Sequence, residues 1–533
     1  MSSTIAKKHY DVIVIGGGAT GAGTVRDCAL RGLKTLIVER YDFTTGATGR
    51  NHGLLHSGAR YAVTDSESAT ECIEENMVLR KIARHCVEEH DGLFITLPED
   101  DLAYQAKFVA ACQKAGIRAD IIDPEEAKRL EPAVNPTLIG AVRVPDGSVD
   151  PFRLTVSNIM DAQMHGADVL TYHEVTDLII ENGKVCGVRL LNTLNGEKSE
   201  ERAEIVVNAA GIWGSLIARK ADITINMFPA KGSLLVFGHR VNNMVINRCR
   251  KPANADILVP GDAITVIGTT SDRVPIETVD DMRVTPEEVE VLLKEGIQLA
   301  PALATTRILR AYAGVRPLVA SDNDPSGRSI SRGIVCLDHE TRDGLAGFVT
   351  ITGGKLMTYR LMAETVTDLV CQKLAVNQKC QTASLPLPGT AETPSLSSKK
   401  SYAFNAQAGR HGVLADNIPA KDKMDNALVC ECEEVTVGEI KYVVEKQHVK
   451  TLTQLRRRTR VGMGTCQSEL CAMRAAHVLG AACGISVKES TADLADFINE
   501  RWKGMYPVGW GPTLNEAQLM SNVYQGLCGL DKQ

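Results

Sequence analysis

The stretch Asp11-Val-Ile-Val-Ile-Gly-Gly-Gly-Ala-Thr-Gly21 decides the fold class. Its apolar run leads directly into Gly16-x-Gly18-x-x-Gly21, and a helical pattern follows from Ala22 to Arg31. Lys34–Glu39 then reads as a second strand, which completes a βαβ unit. Each glycine has a mechanical reason. Gly16 permits a tight turn, Gly18 lets the backbone approach a diphosphate, and Gly21 lets the helix pack closely on the strand. The helix N-terminus presents unpaired N–H groups and the positive end of its dipole to that diphosphate. Glu39 closes the second strand, where a carboxylate binds ribose hydroxyls and disfavours a 2′-phosphate. This fingerprint predicts a bound dinucleotide but does not separate FAD from NAD.

The chain has 533 residues, room for roughly two to four domains. A net charge of -6 gives no basic field, so nucleic-acid binding is set aside. No segment has the length and apolarity of a membrane span, and the N-terminal apolar run reads as a strand rather than an export signal. The expectation is a cytoplasmic protein that touches membrane only through partners. Fifteen cysteines without an export signal predict thiols rather than a disulfide framework. Residues 1–380 alternate strand and helix patterns. Residues 381–426 are rich in Pro, Ser, Thr, Ala and Lys and read as a linker. A compact cysteine-bearing segment, 427–484, follows. An extension, 485–533, holds Trp502, Tyr506, Trp510 and Tyr524 and is suited to packing on the body or on a partner.

Four further segments bear on the cofactor. Gly46-Ala-Thr-Gly-Arg-Asn-His-Gly-Leu-Leu-His-Ser-Gly-Ala-Arg-Tyr61 resembles the second flavin-contacting segment of the D-amino-acid-oxidase-like FAD superfamily. More closely, its His56-x-Gly58-x-Arg60-Tyr61 is similar to the signature of the glycerol-3-phosphate dehydrogenase branch. Val207–Trp213 resembles the strand and turn near the FAD pyrophosphate. Ala313–Leu318 resembles a substrate-arginine motif, and Ile351–Arg360 resembles the flavin-ring glycine pair with its following lysine. With the cysteine segment, the whole chain resembles the catalytic subunits of the anaerobic branch.

The resemblance implies a mixed α/β fold. A Rossmann-like FAD domain would be interleaved with an antiparallel-sheet substrate domain, and a small helical cysteine-rich domain would follow. It implies FAD contacts at Gly16, Gly18, Gly21, Glu39, Thr48, Gly49, Val175, Gly211, Gly353 and Gly354. It implies oxidation of sn-glycerol 3-phosphate to dihydroxyacetone phosphate. Electrons would pass through two partner subunits, one a second flavoprotein and one an iron–sulfur membrane anchor, to a membrane quinone. FMN is open as a second flavin of that complex, and attachment to the inner membrane's cytoplasmic face would be peripheral.

The charges suit such a substrate. A phosphate monoester is a dianion near neutral pH, and a buried site must offset it with fixed cations. Arg60, Arg316, Arg332 and Lys355 lie in or near these motifs, with Tyr61 beside Arg60. Arg316 and Lys355 are the candidates for gripping substrate oxygens. His56 is the first candidate for the base, since imidazole accepts a proton near neutral pH. Lys231 is either near the substrate or structural, and the pair His52 and His56 carries no further sign of a metal. An FAD oxidase of amino acids or 2-hydroxy acids shares the fold and remains an alternative. So does a non-enzymatic flavin redox sensor.

Cys430-Glu-Cys432 and Cys466-Gln-Ser-Glu-Leu-Cys471 place four thiols in two close pairs. They resemble the bacterioferritin-associated-ferredoxin-like domain and imply a 2Fe–2S cluster, although the wider second spacing departs from the type. A four-cysteine zinc site uses the same donors, and thiols that hold no metal are the remaining alternative. The run Arg456-Arg-Arg-Thr-Arg460 either offsets a cluster's charge or lines a solvated helix face.

Overall fold

The apolar run of the fingerprint forms the strand His9–Ile15 inside a parallel sheet. The computed structural model describes residues 9–319, 333–390 and 402–530. Thr35–Val38 pairs with this strand on one side and Lys198–Asn208 on the other. Asp168–Leu170 and Phe348–Gly353 extend the parallel order at its two ends. The strand is buried on both faces, as parallel sheets require. Val12 and Val14 face the helices Ala19–Leu30, Pro151–Met164 and Tyr359–Lys373. Ile13 and Ile15 face a second layer built around Leu178, Val188 and Phe348.

A second, mostly antiparallel sheet forms the interleaved substrate domain. Met227–Phe237 pairs with Ile308–Val319 along its whole length and with Ile264–Gly268 on its other side. The sheet continues through Ile257–Gly261, Val245–Arg248, Gly92–Thr96 and Gly140–Val144. Helix Pro286–Leu299 starts with a capping box between Thr285 and Glu288 and buries Leu292 and Leu299 against Leu235, Phe237 and Ile267. The fold is therefore the mixed α/β arrangement expected.

The stretch 381–426 is not a loose connection throughout. Its Pro394–Lys400 portion lies outside the described residues. Leu387 is buried, and its N–H donates to the Ile82 carbonyl at 2.8 Å. Residues Tyr402–His411 form a helix whose Ala408 joins Ala415 and Ile418 in one core with Cys430, Ile440 and Leu455. Composition conceals this helix because its inner face is polar. Arg410 donates to Glu439 at 2.7 Å and His411 meets the same carboxylate at 2.9 Å, all three buried. The core also takes in Leu494, Phe497, Met505 and Tyr524, so the last stretch packs on the cysteine module. Val508 enters the core of the substrate sheet, which ties the same stretch to the body.

The arginine run takes neither role expected of it. Arg457 and Arg458 reach across to Asp42 of the FAD domain at 2.9 and 2.7 Å, and Arg460 reaches Asp262 and Glu433 at 2.8 and 2.9 Å. The pairs with Asp42 and Asp262 join the module to the body.

Glu439 gives this region a pH dependence. Burial works to raise its pKa, but the Arg410 charge and the hydrogen bonds from His411 and Arg410 prevail and hold it at about 2. The folded value lies below the ordinary one, so the stabilisation is complete above about pH 5 and is lost as pH falls toward 2. Glu439→Gln should lower Tm at neutral pH by leaving Arg410 uncompensated, at about 3 kcal/mol, and should flatten the acid dependence of unfolding followed by circular dichroism. Parallel acid profiles in the two proteins would refute this role.

Candidate active site

Between the two sheets lies a cavity of about 530 Å³. One end is built by the fingerprint. Gly16 has φ +111°, and a Cβ there would meet the Ala209 carbonyl oxygen at 2.6 Å. Gly21 stands behind the cavity, where a Cβ would lie 1.9 Å from the Gly16 carbonyl oxygen, so only glycine lets the helix sit so close. At Gly18 a Cβ would meet only Thr48 Oγ1, at 3.1 Å, so the backbone is open toward the cavity. The Thr48 hydroxyl accepts from the Ala19 N–H at 3.0 Å and anchors the segment against the helix start. Glu39 accepts from the Gly17 and Tyr41 N–H groups at 2.7 and 2.9 Å. Burial raises its pKa, against those hydrogen bonds.

Eight of the ten expected cofactor contacts line this cavity: Gly16, Gly18, Glu39, Thr48, Val175, Gly211, Gly353 and Gly354. The other two are Gly21 and Gly49, which pack behind it. A Cβ on Gly49 would lie 2.3 Å from the Thr44 carbonyl oxygen. Gly353 and Gly354 turn the chain with φ +78° and +64° at the cavity's other end. The open backbone at Gly18, the ribose-facing carboxylate and this second glycine turn fit a dinucleotide with a flavin at the far end.

That far end carries the cations. Arg316 and Ala230 are register partners across the long strand pair. Arg316 therefore faces the cavity over Gly232, where a Cβ would meet Nη2 at 2.5 Å. Its guanidinium is held by the Thr269 hydroxyl and by the Thr270 carbonyl at 3.0 Å. Lys231, one residue along, points to the opposite face and pairs with Glu288 at 2.7 Å, so it is structural. Arg60 also lines the cavity, braced by Asp256 at 3.0 Å, and its buried Nη1 has no hydrogen-bond partner among the described residues. His56, Tyr61 and Lys355 form a column: the His56 and Tyr61 rings stack at 4.9 Å, and Lys355 Nζ lies 4.9 Å from the Tyr61 centroid. Arg332 lies outside the described residues.

His56 Nδ1 accepts from the Gly58 N–H at 2.8 Å, so in the neutral ring the proton sits on Nε2. The turn is fixed by buried Asp146, which accepts from the Ser57 N–H at 2.7 Å. Asp146, Asp256 and Thr269 escaped the sequence reading because they arrive from remote loops at strand ends, with no fixed spacing to the motifs.

The four module cysteines meet. Cys471 shares hydrogen bonds with Cys430 and Cys466, and Cys466 with Cys432. The hydrogen bond from Cys471 lowers the Cys466 pKa to about 5 and that of Cys430 to about 7, while the same contacts push Cys471 up and burial pushes Cys432 up, so the protons gather on one partner of each pair. Among the described residues no group of three or more His, Cys, Asp or Glu is arranged to hold a lone metal ion. The thiols are gathered by a tight loop. A Cβ on Gly464 would lie 2.4 Å from Cys432 Cβ, and Gln467 and Ser468 adopt left-handed φ of 47° and 76°. Four thiols in mutual contact, two of them prone to ionise, fit a cluster that uses cysteine ligands.

A family model for FAD dependent oxidoreductases matches residues 11–360, and a BFD-like [2Fe-2S] binding domain matches residues 428–481. The chain is 62% identical over 531 residues to the A subunit of anaerobic glycerol-3-phosphate dehydrogenase from Escherichia coli K12, covering 98% of this chain and 97% of that one. The chain belongs to the family of these anaerobic dehydrogenase A subunits. The A1 subunit from Haloferax volcanii is 41% identical over 99% of this chain and 92% of its own length. The solved glycerol-3-phosphate dehydrogenase from Bacillus halodurans, complexed with FAD, superimposes with a TM-score of 0.70 at 23% identity over 94% of this chain and 96% of that one, which shows the shared fold. Like its family, the chain uses FAD and a 2Fe–2S cluster.

Gly464→Ala should strip iron from the purified protein while leaving FAD per chain unchanged. Iron and flavin analysis of the same sample decides this, and full iron occupancy would contradict the tight-loop account.

Proposed function

We propose that this chain oxidises sn-glycerol 3-phosphate to dihydroxyacetone phosphate. The convergence of Arg316, Lys355 and Arg60 on one end of a dinucleotide-sized cavity carries the proposal. A dianionic ester needs that concentration of fixed charge, whereas an amino acid or 2-hydroxy acid presents a single carboxylate. Arg316 and Lys355 grip substrate oxygens, and Arg60 and Tyr61 complete the anion pocket. Arginine suits this place because its planar fork meets phosphate through two parallel bonds.

The fingerprint turn and the helix start at Ala19 hold the diphosphate of FAD, Glu39 the ribose, and Gly353 and Gly354 the ring end. Bound FAD supplies the acceptor for the two electrons of the C2 oxidation. Lys355 and Arg316 stabilise negative charge that develops on the C2 oxygen as its proton passes to water in the cavity. His56 donates its Nε2 hydrogen to this oxygen or to the ring and so orients the reactants. The 2Fe–2S cluster supplies a one-electron exit, which favours a dehydrogenase over an oxidase and over a passive sensor.

Beyond the module, electrons pass through two partner subunits, one a second flavoprotein and one an iron–sulfur membrane anchor, and finally to quinone. Among the described residues no helix is long and apolar enough to cross a membrane. The proposal accordingly assigns membrane contact on the cytoplasmic face to those partners.

Arg316→Ala should lower kcat/KM for glycerol 3-phosphate by on the order of 100- to 1000-fold, measured with an artificial dye, and leave FAD content intact. An unchanged kcat/KM would remove Arg316 from the site. His56→Gln should lower kcat by about tenfold and keep the shape of the pH profile. Loss of about 100- to 10,000-fold together with the acid limb would instead make His56 the base.

A further inference from the structure

On its dinucleotide side the flavin cavity is flanked by two segments of the FAD domain that each run on from an expected cofactor contact. Arg40 and Tyr41 follow Glu39, and Trp213 ends the short turn Gly211–Trp213; all three line the cavity. A third piece comes from the substrate domain. Asp280 lies between the strand Ile264–Gly268 and the helix Pro286–Leu299, and it lines the same cavity. That piece is anchored on both sides of Asp280. Buried Val279 packs with Ile212 and Val315, and Val284 joins the core of the substrate sheet.

The three pieces meet on one carboxylate oxygen. Arg40 Nη2 donates to Asp280 Oδ1 at 2.7 Å, and the Trp213 indole N–H donates to the same oxygen at 2.9 Å. The Arg40 guanidinium also lies over two rings, 4.7 Å from the Tyr41 centroid and 5.2 Å from that of Trp213. Gly46 leaves room for the indole, since a Cβ there would meet Trp213 Cζ3 at 2.9 Å. The Arg40 side chain is 26% exposed and that of Asp280 56%, so the contact sits at the cavity's rim and not in its core. A lone ion pair so exposed contributes little. Here one carboxylate takes two donors and holds a cation that is stacked on two rings, so the elements act as one unit.

We infer that Asp280, with Arg40 and Trp213, is a clasp that retains FAD on this chain. The inference rests on the FAD seat and is independent of the substrate. Glu39 accepts from the Gly17 and Tyr41 N–H groups, so the turn that carries Arg40 is fixed to the fingerprint. A dinucleotide seated between the two sheets leaves only when the FAD-domain rim, Arg40 and Trp213, parts from the substrate-domain rim, Asp280. That opening breaks both hydrogen bonds to Asp280 and lifts the arginine off the indole. The three are positioning residues: they slow release of the cofactor and stand apart from the cations at the ring end. Because the carboxylate is half exposed, dissolved salt screens the ionic part of the clasp and leaves the indole hydrogen bond in place.

The test times FAD release from the full-length holoprotein. After dilution and removal of free flavin, the FAD still bound per chain is measured by chromatography at intervals. Asp280→Ala should release FAD about five- to twentyfold faster than the wild type, and Trp213→Phe, which keeps a ring but loses the N–H, about threefold faster. Asp280→Asn guards against a folding defect, because it keeps an acceptor for the indole and removes only the charge. Raising salt from about 0.05 to 0.5 M should speed release from the wild type and change it little in Asp280→Asn. Adding Arg40→Gln to Asp280→Asn should change the rate less than about twofold, because the two residues act through one contact. Release within about twofold of the wild type in both Asp280→Ala and Trp213→Phe would overturn the inference. So would a salt response in Asp280→Asn equal to that of the wild type.

Discussion

Fixed positive charge in a place that water reaches poorly is the constraint on which this structure turns. A dinucleotide brings a diphosphate, and the proposed substrate brings a phosphate ester, into one cavity of about 530 Å³. The protein divides the task. Backbone N–H groups and a helix dipole face the diphosphate end. Arg316, Arg60 and Lys355 face the other end, each held by neutral or braced neighbours such as Thr269, Asp256 and Tyr61. The glycines at 16, 18 and 21 serve this division by bringing backbone, rather than side chains, to the cavity wall.

The diphosphate end was legible in the sequence because its requirements are local. Positive φ at Gly16, close packing at Gly21 and a carboxylate at the end of the next strand all fall within one βαβ unit. The cations were legible through the motifs that carry them, but their arrangement was not. Whether Lys231 or Arg316 enters the cavity depends on strand register, and a one-residue step sends them to opposite faces. His56 was found, but its protonation pattern depends on a hydrogen bond from the Gly58 N–H that no spacing reveals. Asp146 and Asp256, which fix His56 and Arg60, come from remote segments.

The C-terminal region teaches a related point about charge. Residues 402–417 and the run 456–460 look solvated by composition, yet they carry buried Arg410, His411 and Arg458. Each is inside because a specific carboxylate meets it, Glu439 or Asp42, on an element distant in sequence. The Glu439 pairs hold the C-terminal region together, and the Asp42 pair fixes it against the FAD domain. Within the module, the close approach of Gly464 to Cys432 gathers the thiols.

The central claim, that the cation-lined end seats a phosphate ester whose electrons pass through the flavin to the cluster, is tested most directly by anaerobic mixing of the holoprotein with glycerol 3-phosphate. Flavin absorbance and the electron paramagnetic resonance of the cluster would be followed together. The account predicts bleaching of the flavin followed by the signal of a reduced cluster, with no change on mixing with glycerol or glycerate. A flavin that stays yellow with the ester but bleaches with an amino acid or a 2-hydroxy acid would contradict it.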